Sequence, residues 1–270
     1  MTAKELIKLG PEKDAWLYDR SSKTYDLTRG ASSANGSCYT VATSRGPAAT
    51  SIRIDPARTA LVIIDMQNYF LDAKLRNHET GLAAVPATLN VISKCRKLGI
   101  QVIWLNWGLT EQDLASMPAS ISRSFARTLI DPDHRPRRLG LGADLGSGLG
   151  RTLVAGEWNS ALYPPLAAAV NSLDKHLSKN RMSGLWNQQT PLWRYLAQSS
   201  HKTLLFAGVN TDQCVLGTLT DAYSAGWDCI MIEDCCATTT EGAHDVCIHN
   251  ATNCYGFVVN SEGFTSGTLA

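Results

Sequence analysis

Short apolar runs alternate with helix-like stretches over most of this chain, and that alternation limits the folds that the chain can adopt. The run 60–64, Ala-Leu-Val-Ile-Ile, is apolar at every position and ends at Asp65, as expected for a strand buried on both faces of a parallel sheet. The same pattern predicts strands at 60–64, 100–105, 152–154, 177–179, 203–207, 229–232 and 257–259, and helices at 85–98, 164–171, 190–198, 212–225 and 241–253. The expected fold is therefore α/β, with a mostly parallel sheet that carries helices on both faces.

The chain is long and apolar enough for one large α/β domain with appendages, because 44% of its 270 residues are hydrophobic. Its net charge of +1 implies no nucleic-acid or membrane partner, and no run approaches the ~18 apolar residues of a membrane span. Eight cysteines without regular spacing predict a reducing, cytoplasmic setting, and residues 1–8 lack the apolar core of a signal peptide.

The first part of the chain does not follow the alternation. Within residues 1–58, short strands are expected at 16–18 and 25–27. A loop or arm is expected over 31–50, because that stretch is rich in Ser, Ala and Gly.

A second long stretch, 107–160, is also irregular. Its glycine-rich piece, 140–148, lacks the preceding strand and the following helix of a dinucleotide fingerprint, so a flexible loop is expected. The arginines of 135–138 could meet an acidic substrate or belong to a solvated loop. We predict an N-terminal arm or extension over residues 1–55 and a main domain over 56–270, with a long loop insertion at about 107–160.

Cys214 lies between the predicted strand 203–207 and a helix-like run that ends at Gly226. Thr211 is a good N-cap, which would place Cys214 in the first helical turn. Unpaired backbone N–H groups and the helix dipole favour a thiolate there. Cysteine is also commonly a small buried hydrophobe, so its position alone leaves both roles open.

Polar residues also follow the first two predicted strands. Asp65 and Asn106 stand at their carboxyl ends, which is where ligands bind in parallel α/β sheets. Partial desolvation would raise the pKa of Asp65 and suit a general base, although an Asp at a strand end commonly caps a turn. Lys179 ends the short strand predicted at 177–179 and, taken alone, would be assigned to the surface.

Three segments, in this order, resemble the isochorismatase-like cysteine hydrolases. They are residues 60–70 (ALVIIDMQNYF), 179–185 (KNRMSGL) and 208–215 (GVNTDQCV). The resemblance covers roughly residues 55–260 and implies a Rossmann-like three-layer α/β/α fold. It also implies a catalytic triad of Asp65, Lys179 and Cys214.

The family resemblance implies a role for each of these side chains. Asp65 would take the thiol proton and pass it to the leaving group, and Lys179 would hold the carboxylate ionised and lower the pKa of the thiol. Cys214 would attack a carbonyl carbon and form a thioester that water hydrolyses. The resemblance also implies a cis peptide bond at Val209–Asn210 and an oxyanion hole formed by the N–H groups of Asn210 and Cys214.

Departures from the family's patterns narrow the predicted activity. Nicotinamidases carry metal-binding histidines after the second strand, but here Asn106 is followed by none and the six histidines show no ligand spacing, so no metal or other cofactor is predicted. True isochorismatases cleave a vinyl ether without covalent catalysis and lack a cysteine at the position of Cys214. The sequence therefore predicts a metal-free cysteine hydrolase that cleaves a C–N bond of a small amide, ureide or carbamoyl compound.

Two alternatives stay open at this point. One is an isochorismatase-type, non-covalent vinyl-ether hydrolase in which Asp65 does the acid–base work. The other is a non-catalytic binding protein on the same fold. Because family members usually form oligomers, the resemblance also implies a homo-oligomer.

Substrate-binding residues are predicted from their places near the strand ends. Candidates are the residues after Asp65, the end of the neighbouring strand and three aromatic residues that could form walls: Gln67, Asn68, Tyr69, Phe70, Asn106, Trp107, Trp158, Tyr163 and Trp186. Packing in the core or in loops is the alternative explanation for each.

Overall fold

The computed structural model describes residues 6–30, 38–133 and 138–269, which form two six-stranded sheets and several helices. The strands are β1 (Leu6–Leu9), β2 (Trp16–Asp19), β3 (Thr24–Asp26), β4 (Tyr39–Ala42), β5 (Ser51–Ile54), β6 (Thr59–Ile64), β7 (Gln101–Trp107), β8 (Lys175–Lys179), β9 (Thr203–Val209), β10 (Asp228–Ala237), β11 (Gly256–Val259) and β12 (Thr268–Leu269). The α-helices are α1 (Asn68–Leu71), α2 (Glu79–Leu98), α3 (Glu111–Ala115), α4 (Ala119–Phe125), α5 (Arg127–Ile130), α6 (Pro164–Ala167), α7 (Pro191–Gln198), α8 (Leu216–Ser224), α9 (Ala243–Asn250) and α10 (Ser261–Ser266).

The sheet that contains β6 to β11 is parallel at every pairing, in the order β11-β10-β9-β6-β7-β8. Its six strands are those predicted at 60–64, 100–105, 177–179, 203–207, 229–232 and 257–259. Helices cover both faces, which confirms the predicted three-layer α/β/α fold. The sequence pattern was sufficient here because each strand is buried on both faces and therefore apolar throughout.

Strand β6 shows how one sheet supports two cores. All six of its residues are buried. Leu61 and Ile63 belong to the apolar cluster under α2, whereas Val62 and Ile64 belong to the cluster under α7 and α8. Successive side chains of a strand point to opposite faces, so this continuous apolar run fills both layers between sheet and helices.

The predicted helices differ from the observed ones mainly at their ends. Helix α2 begins at Glu79, before the predicted 85, because the His78 side chain accepts the N–H of Gly81 and caps it. The predicted helix 212–225 is divided into a π-helical turn at Thr211–Val215 and helix α8. The predicted helix 241–253 is similarly divided into α9 and a π-helical turn at Ala251–Tyr255.

The second sheet has the order β1-β2-β3-β5-β4-β12, so it pairs the beginning of the chain with its end. The strands expected at 16–18 and 25–27 are present as β2 and β3, although β3 ends at Asp26. The loop expected over 31–50 is wrong where β4 lies, because buried Tyr39 and Val41 pack inward. Residues 31–37 of that expected loop lie outside the described residues.

A buried ion pair joins the two parts of the chain. Arg29 Nη1 lies 2.6 Å from Asp228 Oδ2, and the indole N–H of Trp16 donates to the same carboxylate at 2.9 Å. The division into an extension over 1–55 and a domain over 56–270 stays a prediction.

The stretch 107–160 contains α3, α4 and α5 as well as turns, so its described part is more regular than the sequence suggested. The strand expected at 152–154 is reduced to one isolated bridge between Leu109 and Val154. Its backbone is held instead by the buried Asn159 side chain, whose Oδ1 accepts the N–H of Leu153 at 2.8 Å. Among the described residues, no helix is both long and apolar enough to cross a membrane.

Candidate active site

The carboxyl ends of β6, β8 and β9 meet at one edge of the parallel sheet. Asp65 directly follows β6, Lys179 is the last residue of β8, and Asn210 directly follows β9. The turn after Asn210 carries Cys214. The chain runs from β6 outward to β7 and β8 and then crosses to β9 on the other side of β6, and such a switch point forms a crevice for ligands. The topology therefore brings the three predicted triad residues to one place.

The ammonium group of Lys179 lies between the other two side chains. Its Nζ is 2.9 Å from Asp65 Oδ2 and 3.4 Å from Cys214 Sγ. It also donates to the carbonyl oxygen of Arg181 at 3.2 Å and lies 4.0 Å from the centroid of the Trp107 ring. Lys179 is only 3% exposed, which corrects its assignment to the surface from sequence position alone. A buried charge with this set of partners is compensated within the fold.

Asp65 is fully buried and occupies the left-handed region, with φ of 55°. Its Oδ1 accepts the N–H of Trp107 at 3.2 Å. Gln67 Oε1 accepts the same N–H at 3.1 Å, and Gln67 Nε2 donates to the Trp107 carbonyl at 2.8 Å. The two side chains therefore fix the end of β7 beside the site. Burial raises the pKa of Asp65, and the charge of Lys179 opposes that rise.

The surroundings of the Cys214 thiol oppose its ionisation. Burial raises its pKa to about 12, the Asp65 carboxylate adds to the rise, and Lys179 opposes it. The side chain is 4% exposed, and its Sγ lies 3.3 Å from Met182 Sδ. Desolvation thus opposes the thiolate that the helix dipole favours, and thiolate formation at Cys214 stays a prediction.

A proton can nevertheless move between the two acids at low electrostatic cost. Transfer from Cys214 to Asp65 exchanges one negative charge for another beside Lys179, so the buried group keeps the same net charge. Burial opposes ionisation of each acid separately, but it does not oppose that exchange as a whole. The arrangement can thus generate a thiolate without exporting a proton to water.

The turn that carries Cys214 begins at Asn210, rather than at the predicted cap Thr211. Asn210 makes no side-chain cap; its Oδ1 lies 2.8 Å from His78 Nε2. The Nδ1 of His78 accepts the N–H of Gly81, so in the neutral ring Nε2 carries the proton and donates to Asn210. Burial lowers the pKa of His78 and keeps the ring neutral. His78 therefore orients the Asn210 side chain.

The peptide bond Val209–Asn210 is cis, as the family resemblance implied. Gly208, just before it, has φ of 122°, and a Cβ there would lie 2.0 Å from the carbonyl oxygen of Ile64. Only glycine permits this approach of β9 to β6. Asn210 directly follows β9, at the strand end that lies beside the end of β6 and Asp65.

A cavity of about 540 Å³ opens over Cys214, a size that suits a small molecule. Its lining includes Asn210 and Cys214, the apolar side chains of Phe70, Phe125 and Met182, and the cationic side chains of Arg76 and Arg138. Phe125 closes helix α4, so the irregular stretch 107–160 supplies part of the wall, as do residues from the segment after α1.

Phe70 is the only one of the four residues predicted after Asp65 that is among the described lining of this cavity. Gln67 and Asn68 are buried, and their side chains donate hydrogen bonds to loop backbone. Asn68 Nδ2, for example, donates to the Trp158 carbonyl at 2.9 Å. The Tyr69 hydroxyl accepts a hydrogen bond from Arg76 at 2.9 Å.

The predicted substrate contacts at the end of β7 are also absent from the described lining. Trp107 is 1% exposed and packs its ring against Lys179 and Phe125. Asn106 points its Oδ1 into the protein, where it has no hydrogen-bond partner among the described residues. Trp107 therefore packs against Lys179 from inside the protein.

The three aromatic walls predicted from the sequence do not line the described cavity, and local packing accounts for each. Trp158 lies under the ammonium of Lys74, at 5.0 Å from its ring centroid. Tyr163 packs against the cluster under α2. Trp186 is exposed, although the guanidinium of Arg181 lies over one face of its ring, and it borders a neighbouring cavity.

Sequence reasoning missed several lining residues, among them Arg76, His78, Phe125 and Met182. Met182 stands inside the motif KNRMSGL, so its nearness to Lys179 was available from the sequence. His78 gave no signal, because histidine is not a preferred cap. Arg138 belongs to the arginine-rich stretch 135–138, whose other residues lie outside the described part of the chain.

The described residues contain no group of three or more His, Cys, Asp or Glu side chains placed to hold a metal ion.

Comparison with known proteins gives one family. A family model of the isochorismatase domain matches residues 59–263. A cysteine hydrolase from Pseudomonas syringae pv. phaseolicola 1448A has a similar structure, with a TM-score of 0.63 and 18% identity, over 83% of this chain and 95% of that chain.

Two further solved structures resemble this chain. N-carbamoylsarcosine amidase from Thermoplasma acidophilum has a TM-score of 0.57 and 22% identity, over 76% of this chain and 97% of that chain. Nicotinamidase from Bacillus subtilis has a TM-score of 0.55 and 18% identity, over 75% of this chain and 99% of that chain. At these identities the structures show a shared fold.

Proposed function

This chain belongs to the isochorismatase family of hydrolases, and from that premise we propose that it is a cysteine hydrolase that cleaves a C–N bond without a metal. Its substrate is a small amide, ureide or carbamoyl compound, and Asp65, Lys179 and Cys214 are its catalytic triad. Similar structures that are named as a cysteine hydrolase and as an N-carbamoylsarcosine amidase support this class of reaction.

One observation carries the proposal. A single ammonium group, Lys179 Nζ, lies 2.9 Å from a carboxylate oxygen and 3.4 Å from a thiol sulfur, and the residue that bears that thiol borders the cavity. A lysine that served only to stabilise the fold would need the carboxylate as its partner, but not the thiol as well. The pair of acids beside one fixed positive charge instead gives a nucleophile, its base and a charge that stabilises either anion.

The first half of the reaction forms a thioester. Asp65 takes the proton of the Cys214 thiol as Sγ attacks the carbonyl carbon, and Lys179 neutralises the negative charge before and after that transfer. Collapse of the tetrahedral intermediate breaks the C–N bond, and Asp65 gives its proton to the leaving nitrogen. Ammonia or an amine leaves, and the acyl group stays on Cys214.

The second half hydrolyses the thioester. Water attacks the same carbon, Asp65 accepts a proton from that water, and the proton returns to Sγ as the acid product leaves. In both halves an oxyanion forms on the carbonyl oxygen. The backbone N–H groups of Asn210 and Cys214 stabilise it, and each such donor is worth about 3 kcal/mol in the transition state.

A screen of small amides, ureides and carbamoyl compounds tests the proposal, with released ammonia or amine as the readout. We expect at least one compound to be hydrolysed by the wild-type protein and by neither Cys214→Ala nor Asp65→Asn. A screen of this class in which Cys214→Ala matches the wild type would refute the covalent reaction.

The same two variants separate the alternatives. A non-covalent vinyl-ether hydrolase would retain activity in Cys214→Ala and lose it in Asp65→Asn. A binding protein would turn over nothing, and its ligand affinity would not depend on either side chain's acid–base chemistry.

A further inference from the structure

The cavity over Cys214 carries two positive charges and no negative one in its described lining. Arg76 and Arg138 both border it, and neither lies within ion-pair distance of an acidic side chain among the described residues. His78, also in the lining, is kept neutral because burial lowers its pKa and its Nδ1 accepts the N–H of Gly81. The cavity is therefore cationic as built.

Arg138 is fixed in place without having its charge compensated. Its Nη1 donates to the Ser124 carbonyl at 2.9 Å, and its own carbonyl accepts the N–H of Thr128 at 3.1 Å. Its Nε is buried and has no hydrogen-bond partner among the described residues. Burial and the charges of Arg76 and Arg127 lower the pKa of Arg138. A buried N–H donor without a partner costs free energy unless a ligand accepts its hydrogen bond.

Arg76 borders the same cavity, but it comes from the segment between α1 and α2. Its guanidinium lies 4.6 Å from the centroid of the Tyr69 ring and 5.9 Å from that of Phe70. Stacking on aromatic rings fixes the plane of the guanidinium while leaving most of its donors unused. Two cations that face one cavity repel each other, and an anion between them removes that repulsion.

We propose that the substrate bears a carboxylate, held by Arg76 and Arg138, at the end opposite to the C–N bond that Cys214 attacks. This inference rests on the proposed function and names its substrate class: a small amide or N-carbamoyl compound of a carboxylic acid. A planar carboxylate matches the fork of a guanidinium. The apolar side chains of Phe70, Phe125 and Met182 accommodate a short hydrocarbon link between the two ends.

Binding to the full-length Cys214→Ala protein, measured by titration calorimetry, tests the proposal independently of turnover. The probes are a short homologous series of N-carbamoyl amino acids and the methyl ester of each. We expect at least one acid to bind about tenfold or more tightly than its ester. Arg76→Gln and Arg138→Gln should each weaken binding of the acid by about tenfold and leave the ester unchanged.

Arg127→Gln is the matched control, because its charge acts on Arg138 but its side chain does not border the described cavity. An equal loss in this variant would show that the overall field, rather than a direct contact, selects the anion, and would overturn the proposal. If Arg138→Gln does not fold by circular dichroism, Arg76→Gln decides alone. Esters that bind as well as acids, inorganic phosphate that binds as tightly as the acids, or no binding in the series would each overturn it.

The two proposals fail in distinguishable ways. Wild-type protein that hydrolyses neutral amides, with no effect of either arginine substitution, would retain the proposed function and refute the carboxylate site. Arginine-dependent binding of the acids, with no hydrolysis of their C–N bonds by the wild type, would retain the site and count against the proposed function.

Discussion

His78 Nε2 donates a hydrogen bond of 2.8 Å to Asn210 Oδ1, although 132 positions separate the two residues in the chain. The contact ties the start of α2 to the turn that bears the nucleophile proposed here. Because Nδ1 accepts the N–H of Gly81, the neutral ring carries its proton on Nε2 and donates it to Asn210. His78 is thus a positioning residue for the proposed oxyanion hole.

We predict that His78→Ala lowers kcat by about tenfold with little change in KM, because Asn210 loses the bond that orients it. The lost cap on α2 should also reduce the free energy of unfolding by about 1 kcal/mol. Steady-state kinetics and urea unfolding measure the two effects separately. His201→Ala, at a half-buried histidine that bonds Ser199, is the control. A loss of stability with unchanged kcat would limit His78 to a capping role.

Lys179→Met should reduce the free energy of unfolding by about 3 kcal/mol at neutral pH, because Asp65 is left as an unpaired buried carboxylate. The loss should shrink at acid pH, where Asp65 takes up a proton. Combining Lys179→Met with Asp65→Asn removes the stranded charge, so the double variant should be more stable than Lys179→Met alone. Urea unfolding of the four proteins gives the coupling energy, and an additive result would contradict the ion pair.

The buried thiol predicts a loss of stability in alkali. The pKa of Cys214 is about 12 in the folded protein, against an ordinary value of 9.0, so above pH 9 the unfolded chain binds fewer protons than the folded one. Stability from this group is complete below pH 9 and declines as the pH rises toward 12, by about 1.4 kcal/mol per pH unit. Cys214→Ala should flatten the alkaline slope by that amount in urea unfolding.

Other buried cysteines contribute to the same slope, since burial raises the pKa of Cys95, Cys229 and Cys235 as well. The control is therefore Cys254→Ala, whose side chain is exposed. If both variants have the wild-type slope, Cys214 does not keep its proton in the folded state.

Gly208→Ala should destabilise the protein by about 3 kcal/mol or prevent its accumulation, because the new Cβ would lie 2.0 Å from the Ile64 carbonyl oxygen. Gly226→Ala is a matched control: its φ of 92° is also positive, but nothing lies within 4 Å of a Cβ there. It should cost only about 1 kcal/mol. Equal losses by thermal or urea unfolding would mean that backbone conformation, and not the approach of β9 to β6, requires the glycine.

The alternation of apolar runs was enough to predict the parallel sheet, because strands buried on both faces leave a continuous apolar signal. It failed for β4, which pairs with β5 and, at the other end of the chain, with β12. Tyr39, Thr40 and Val41 are residue types that favour strands, but the Ser, Ala and Gly residues around them resemble a loop and masked that signal.

The site was predicted unevenly for similar reasons. Asp65, Lys179 and Cys214 stand in motifs at strand ends, so topology brings them together. Arg76 and Arg138 come from irregular segments whose paths depend on packing, and sequence spacing does not report on those paths. The effect of burial on the pKa of Cys214 was not predicted, because the helix dipole is visible in a sequence pattern whereas the depth of burial is not.

Limited alkylation with iodoacetamide, read by peptide mass, most directly tests the claim that Asp65 and Lys179 make Cys214 a nucleophile. Burial alone would make this 4% exposed thiol slower to react than exposed Cys254 and half-exposed Cys38. Our account predicts the reverse: Cys214 is labelled first among the eight cysteines, and Asp65→Asn abolishes that preference. Labelling of Cys254 and Cys38 while Cys214 stays unmodified would contradict it.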